Sequence, residues 1–420
     1  MSDPDSQQAA PRAAGIGPLA GYRVLELSST VAGPFCGRLF ADFGAEVIKV
    51  EPSEGDLIRS VGRRHQGRSL YATSILRNKR LLGLNLRAAE GQAIARSIAS
   101  RCDFVVENFR PGTLEGWGLG YERLARDNPG LIMVRISGYG QDGPYSRRPG
   151  YGIICEALGG LRHVNGDPDR PPARMAVSLT DYITGLYAFS GALMALDHRH
   201  RSGRGQVVDA ALYEAAFSLM EQHIGAYDKL GVVANRLGSA TGSAPNNLYV
   251  TADGRHIHIA ANGPAVFRRL AAVLERPDLL DDARFRTPAA RSANHAEMDA
   301  MVAEWAGART LSEVERLLEQ AEVPAMRVYT LADIFEDRHY AARAAIAHVP
   351  DSVLGSVAMA APVPRLSETP GRITRSGGEV GQDTGAILRE LAGLDESEIA
   401  RLEQDGVVFG PLRHSRSGGQ

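Results

Sequence analysis

Residues 22–52, YRVLELSSTVAGPFCGRLFADFGAEVIKVEP, decide the fold. YRVLELS (22–28) is a short apolar run ending in serines, the pattern of a strand. Phe35, Leu39, Phe40 and Phe43 then recur at helical spacing, and AEVIKVEP (45–52) is a second strand stopped by proline. Strand, helix and strand in so short a segment is the repeating unit of a parallel sheet.

The alternation continues outward. RLLGLNL (80–86), DFVVENF (103–109) and LIMVRISGYG (131–140) read as strands, AAEGQAIARSIAS (88–100) and YERLARDN (121–128) as helices. The expectation is an α/β fold: a Rossmann-like, mostly parallel sheet with helices on both faces. Ligands of such sheets sit beyond the carboxyl ends of the strands, which singles out the loops SSTVAGP (28–34), ENFRPGT (107–113) and SGYGQDGPYSRRPG (137–150). GQVVDAALYEAAFSLMEQHIGAYDKLG (205–231) reads as a strand running into one long helix. A Gly/Ser/Asn-rich patch, RLGSATGSAPNN (236–247), precedes a hairpin with Asp-Gly at its turn, LYVTADGRHIHIAA (248–261). Helical patterns cover 264–275, 293–306 and 311–320, and VPAMRVYTLADIFED (323–337) is a returning strand and helix. At 420 residues, two domains are expected. They are laid out as a disordered arm (1–17), the first part of a large domain (18–230), a small α/β domain (231–330), a return segment completing the large domain (331–408) and a disordered tail (409–420).

Hydrophobic content of 44% and charged content of 23% are those of a soluble globular protein. A net charge of -2 gives no reason to expect nucleic acid or an anionic membrane as partner. Cys36, Cys102 and Cys155 are too few and too scattered for a disulfide framework or a zinc site, which fits a cytoplasmic protein. The opening MSDPDSQQAAPRAAGIG lacks the apolar segment of a signal peptide. The uncharged run Tyr182–Leu196, about 15 residues, is short of the roughly 20 that span a bilayer, so it reads as a buried core helix. Lysine occurs only at Lys49, Lys79 and Lys229; every other cation among Lys and Arg is arginine, from composition bias or from a need for forked anion donors.

The segment AGPFCG (32–37), followed by Glu51, imitates a dinucleotide-binding fingerprint, but Gly33 and Gly37 are three residues apart and Pro34 stands where an amide would face pyrophosphate. No Walker loop, HExxH or GxSxG occurs. Arg59, Arg77, Lys79, Arg80, Arg87, Arg110, Arg147 and Arg148 are anion-binding candidates. Singly each is a solvated surface cation; together, on loops of one rim, they favour a polyphosphate ligand. Asp181 opens the uncharged run and carries two readings at once. It can be an N-cap, worth about 1 kcal/mol. It can equally be a carboxylate held as the anion at a helix start, ready to act as nucleophile.

Taken together, PLAGYRVLELSSTVAGP (18–34), LFADFGAEVIKVEPSEGD (39–56), RNKRLLGLNL (77–86), DFVVENFRPGTLEGWGLGYERL (103–124), NPGLIMVRISGYGQDGP (128–144), SLTDYITGLYAFSGALMAL (178–196) and RSGRGQVVDAALYEA (201–215) resemble the class III, formyl-CoA transferase-like CoA-transferases from about residue 19 to about 408. The resemblance implies that Asp181 is the catalytic aspartate, that Leu84 and Arg87 lie at the CoA nucleotide, and that Asn108 and Phe109 belong to the CoA-lining loop with Arg110 and Arg148 as further contacts. Thr30, Val31 and Ala32 match the loop beside the thioester, and Gly238 and Gly242 in GSATGS match a glycine-rich lid. It also implies no permanent cofactor, CoA thioesters and small carboxylic acids as substrates, and an interlocked homodimer.

Two departures stand out. Many members carry an acidic residue after Tyr151, where this chain has Gly152, so that role is missing or passes to Glu156. Formyl-CoA transferases carry glutamine at the place of Val31, which argues against formyl or oxalyl substrates. The overall pattern is most like members that use dicarboxylates with succinyl-CoA as donor, and Arg77 and Arg174 are candidates to hold the acceptor's free carboxylate. The alternatives are an α-methylacyl-CoA racemase, whose histidine falls where this chain has Tyr151, and a CoA-binding protein without turnover.

Overall fold

The computed structural model describes residues 16–411. It divides into two units: residues up to 161, 175–221 and from 343 form the first, and 162–174 with 222–342 the second. The second unit therefore reaches beyond the expected 231–330 at both ends and also takes in 162–174. The expected arm and tail lie outside the described residues, except Ile16, Gly17 and Phe409–Pro411.

In the first unit six parallel strands, β1 (Arg23–Leu27), β2 (Glu46–Glu51), β3 (Arg80–Leu84), β4 (Phe104–Glu107), β5 (Ile132–Ser137) and β6 (Val207–Ala211), lie in the order β3-β2-β1-β4-β5-β6. The edge beyond β3 is covered by an antiparallel strand, Val408–Phe409, so Phe409, assigned to the tail from sequence, belongs to the sheet. Its signal was two residues long, below what periodicity can detect.

Strand residues alternate between two cores as their pleat requires. Leu25, Leu27, Ile48 and Val50 join Ile94, Ala95 and Ile98 of α2 (Ala89–Ala99), Leu124 of α3 (Tyr121–Asp127), and Ile399 and Leu402 on one face. Val24 and Val47 join Phe40 of α1 (Ala32–Asp42) and Ala188, Ala192 and Ala195 of α5 (Leu179–Ser202) on the other. The face toward α1 also carries Glu26 and Lys49, directly opposite each other in the β1–β2 register. A Cβ on Gly37 would stand 1.8 Å from the Glu26 carboxylate, and one on Gly33 would stand 2.3 Å from Ser28 Cβ. The two glycines therefore exist to seat α1 on the end of β1, which explains their un-nucleotide-like spacing.

Two expectations are corrected here. The chain after β6 is not one long helix: Leu212–Phe217 ends, Glu221 takes a positive φ of 46°, and His223–Leu230 begins in the second unit. α5 is a core helix along one stripe only, Thr184, Ala188, Ala192 and Ala195, whereas Leu186, Tyr187 and Met194 are exposed. No described helix is long and apolar enough to cross a membrane.

The second unit holds a three-stranded antiparallel sheet, Asn246–Val250, His256–Ala260 and Ala325–Arg327. Helices Pro264–Val273, His295–Gly307 and Leu311–Gln320 supply the rest of a core around Ile257, Phe267 and Val302.

Candidate active site

The sheet order reverses direction at β1 and β4, and ligands of open parallel sheets enter at that point, beyond the strands' carboxyl ends. Two cavities open there. One, about 590 Å3, is lined by Lys49, Asp56, Leu84, Leu86, Arg87, Phe109 and Trp117 among others. The other, about 260 Å3, is lined by Thr30, Val31, Ala32, Asn108, Phe109, Arg110, Arg148, Tyr151 and Asp181 among others. They share Ser29, Leu57 and Phe109. Every residue expected at the CoA and at the thioester is thus on one of two adjoining cavities.

The carboxylate at the centre is unusual in its surroundings. Ser178 precedes α5 and Asp181 is the third helical residue, so the N-cap reading of Asp181 is replaced by a first-turn position. Burial pushes its pKa up from 3.8 to about 6, and the only hydrogen bond that opposes the shift comes from its own backbone N–H. No cation is paired with it among the described residues. Gly152 opens α4 (Gly152–Leu158), and a Cβ there would stand 2.0 Å from Asp181 Oδ2 and 2.8 Å from its Cγ. With Asp181 in this position there is no room for a side chain at the residue after Tyr151. Glu156, one turn along α4, is buried.

Neighbouring groups are kept neutral. The Cys155 Sγ–H donates to the Gly138 carbonyl at 3.2 Å, and burial followed by the Asp181 charge pushes the thiol up to about 11. A thiol so placed is no competing nucleophile at neutral pH. Tyr71 accepts from the Tyr182 hydroxyl at 3.2 Å and bonds to Ser178; burial first, then Tyr182 and Asp181, raises its pKa. Sequence reading missed Tyr71, because it reaches the site from a short helix, Leu70–Ile75, that carries no motif.

The β1 loop is clamped. Asn108 accepts from Ser29 N–H and donates to the Ser29 carbonyl, both at 2.8 Å. Thr30 has a φ of 71°, a strained conformation for a β-branched residue that costs about 1–3 kcal/mol. The Val31 and Ala32 amides that follow open α1, which has no side-chain cap, so the positive end of the helix is presented at this cavity.

The remaining candidates part company. Arg77 is fully buried, forked onto Asp42 at 2.6 and 2.9 Å and bonded to the Ala360 carbonyl at 2.7 Å. It holds the fold and lines neither cavity, which corrects its assignment to the acceptor. Arg59, Lys79 and Arg80 are likewise taken by Glu51, Glu26 and Glu46. Arg87, Arg110 and Arg148 face the cavities, and Arg148 lies 3.8 Å over the Tyr145 ring. Arg174, Gly238 and Gly242 belong to the second unit. There Arg174 is exposed, the Gly238 N–H donates to the Gly166 carbonyl at 3.0 Å, and Gly242 lines a cavity of about 540 Å3 with Arg236 and His295. No histidine lines either cavity at the β1 and β4 ends among the described residues.

Comparison with known proteins gives the family. The profile of CoA-transferase family III matches residues 19–384. A succinyl-CoA–D-citramalate CoA-transferase of Chloroflexus aurantiacus is 46% identical over 93% of this chain and 98% of its own length. A succinyl-CoA:glutarate CoA-transferase of Mus musculus is 34% identical over 93% of this chain and 90% of its own. Among solved structures, a CaiB/BaiF family protein from Brucella suis superposes with a TM-score of 0.80 at 33% identity, covering 90% of this chain and all of that one. With matches that run through nearly all the described residues, the chain belongs to CoA-transferase family III and is an enzyme of CoA transfer.

Proposed function

We propose that the enzyme moves CoA from succinyl-CoA to a second dicarboxylic acid, with Asp181 as the nucleophile. One observation carries the nucleophile: a half-buried carboxylate, with no counter-ion among the described residues, on the smaller of two adjoining cavities of about 260 and 590 Å3. The names of the relatives carry the substrate class.

The steps balance as follows. An Asp181 oxygen attacks the thioester carbonyl, the C–S bond breaks, and CoA thiolate leaves a mixed succinyl–aspartyl anhydride. The thiolate attacks the aspartyl carbonyl, succinate departs, and an aspartyl-CoA thioester remains. The acceptor carboxylate attacks that thioester and releases thiolate, which then takes the acceptor acyl group and returns Asp181 as carboxylate. Covalent catalysis splits an exchange between poor nucleophiles into feasible steps. Each step passes through an oxyanion, and the Val31 and Ala32 amides are the donors at hand. Leu84, Leu86 and the edge-to-face pair Phe109–Trp117 (5.1 Å between centroids) offer the nucleotide an apolar wall, and Arg87 a phosphate partner. Arg110 and Arg148 replace Arg77 as candidates for the acceptor's free carboxylate.

A homodimer in the cytoplasm completes the reading. Ile153, Ile154, Leu158, Leu186, Tyr187, Met194 and Phe217 are between 43% and 71% exposed on helices of the first unit, apolar surface that a second copy of the chain would cover. Interlocking of the two chains predicts that dilution yields no monomer in sizing experiments; a concentration-dependent monomer peak removes the interlock.

The decisive experiment incubates the enzyme with a panel of acyl-CoAs and dicarboxylates, follows CoA exchange by mass, and traps the intermediate with hydroxylamine. A hydroxamate on the peptide holding Asp181, formed fastest from succinyl-CoA, is expected. A hydroxamate elsewhere, or none during active exchange, overturns the nucleophile; exchange only with monocarboxylates overturns the substrate class.

A further inference from the structure

Resting on that reading, we infer that Asp56, seated on buried Lys49, is a positioning residue for the transfer. It holds Thr30 in its left-handed turn and so aims the Val31 and Ala32 amides at the acyl group beside Asp181.

Thr30 is the only non-glycine residue of positive φ among those lining the two cavities. A β-branched residue stays in that region only where its surroundings over-determine it. Its N–H donates to Asp56 Oδ1 at 2.9 Å, so it is not available to an oxyanion. The next amides in the chain, Val31 and Ala32, have no hydrogen-bond partner among the described residues, and Pro34 has no N–H to offer. The turn at Thr30 therefore decides which way the two unoccupied amides point.

Asp56 is itself fixed from every side. Oδ1 also accepts from Ile58 N–H at 2.9 Å, Oδ2 meets Lys49 Nζ at 2.8 Å, and the Asp56 N–H donates to Glu51 at 3.0 Å. Lys49 bonds to the Ser28 carbonyl and lies 3.6 Å from Glu26. The other oxygen of Glu26 meets Lys79 at 2.7 Å, and Lys79 bonds to the Pro34 carbonyl at 2.7 Å. Two buried lysines thus grip the loop at Ser28 and at Pro34, and Asp56 fixes the turn between them. Burial works against the Lys49 charge, but Asp56, Glu26 and Glu51 outweigh it and raise its pKa, so the hold of Lys49 on Asp56 stays ionic, whereas burial lowers the pKa of Lys79. Asp56 lines the larger cavity and Asp181 the smaller, so any influence of Asp56 on the chemistry runs through Thr30.

The test compares the full-length parent with Asp56→Asn, Asp56→Ala and the double variant Asp56→Ala/Thr30→Gly, in steady-state exchange and in the rate of hydroxamate formation. The expected result is a kcat lower by about 10- to 100-fold in both single variants, the cost of misaimed oxyanion donors, with the KM for succinyl-CoA within about threefold of the parent. Thr30→Gly should recover about fivefold or more in the double variant, because glycine adopts the turn without the steric cost. Each of three outcomes overturns the inference: kcat unchanged within about threefold, a loss confined to KM, or a double variant no better than Asp56→Ala. Thermal melts accompany the kinetics, and where Asp56→Ala fails to fold, the isosteric Asp56→Asn with Thr30→Gly carries the same comparison. A parent that exchanges no CoA defeats the proposed function; an active parent with indifferent variants defeats only the role of Asp56.

Discussion

Asp56 and Asp181 both bring a carboxylate to the rim of one sheet, and their surroundings are opposite. Asp56 is met by Lys49 and by two backbone N–H donors, and although burial works against its charge, those partners hold its pKa below the usual carboxylate value. Asp181 meets no cation among the described residues, and burial leaves it raised to about 6. The same contrast divides the whole first unit: Glu26 with Lys49 and Lys79, Glu51 with Arg59, and Asp42 with Arg77 are all buried ions with counter-ions. A carboxylate whose lone pairs are occupied builds structure; one whose lone pairs are free can form a bond.

The comparison breaks most easily at Asp181. Replacing it by alanine should lower CoA exchange by a factor on the order of 10^3 or more, with no hydroxamate on that peptide, since removal of a covalent nucleophile leaves only binding and oxyanion stabilisation. Exchange above a tenth of the parent rate would make Asp181 one more structural carboxylate.

At Arg77 the opposite kind of loss is expected. Arg77→Ala strands a buried Asp42, a change that costs about 3–5 kcal/mol when no other cation helps. Arg38 Nε stands 3.7 Å from Asp42 and Asn78 donates to it at 3.0 Å, which places the effect near about 3 kcal/mol. The urea midpoint should fall, with the acceptor KM unmoved in the folded fraction. A raised KM with unaltered stability would return Arg77 to the acceptor site.

Arg77 also shows where sequence reading stops. The β-α alternation was legible because periodicity is local: β1, α1 and β2 stand where Tyr22–Pro52 puts them. Asp181 was legible because an ionisable group before an uncharged run is a visible anomaly. The partners of Arg77, Lys79 and Arg80 were not, since Asp42, Glu26 and Glu46 lie 35, 53 and 34 residues away along the chain and meet them only in the packed fold. Four of eight anion-binding candidates, Arg59, Arg77, Lys79 and Arg80, proved to be internal counter-ions. Asp56 was within reach of sequence logic, because it follows a proline-stopped strand at the ligand-binding end of the sheet. The hairpin Ile346–Asp351/Gly355–Ala360 was missed, its proline at 350 speaking against a strand that in fact pairs along one edge only.

Gly152 sharpens the comparison from the other side. Gly152→Ala adds a carbon where Asp181 Oδ2 now lies, 2.0 Å away. The carboxylate must rotate off α4, and a displacement of that size at a reacting group lowers kcat by about 10- to 100-fold. The KM for acyl-CoA should stay near the parent value, since Gly152 lines neither cavity. Parent-like kcat would mean that the reacting position of Asp181 is not the one against α4.

The smallest effect tests the contrast in its purest form, as the pH dependence of stability. For Asp181 the folded pKa, about 6, lies above the unfolded value near 3.8. Its contribution is therefore fully present below about pH 4 and is lost as pH rises through about 6, where the ionised group must sit in the interior uncompensated. A shift of about two pKa units amounts to roughly 3 kcal/mol, and partial solvent access brings it to about 1–3 kcal/mol. Asp181→Asn should accordingly raise the unfolding midpoint at pH 8 and lose that advantage as the pH falls toward 4. For Asp56 the folded pKa is depressed, so its contribution is present above the unfolded value and is lost as pH falls through the folded one. Asp56→Asn should be destabilised at pH 8. The kinetic counterpart follows from the same ionisation: kcat/KM for succinyl-CoA should climb about tenfold per pH unit below 6 and level off above it. An Asp181→Asn variant less stable than the parent at pH 8 would mean that a cation neutralises the carboxylate in solution, and the distinction between the two aspartates would rest on nothing but position.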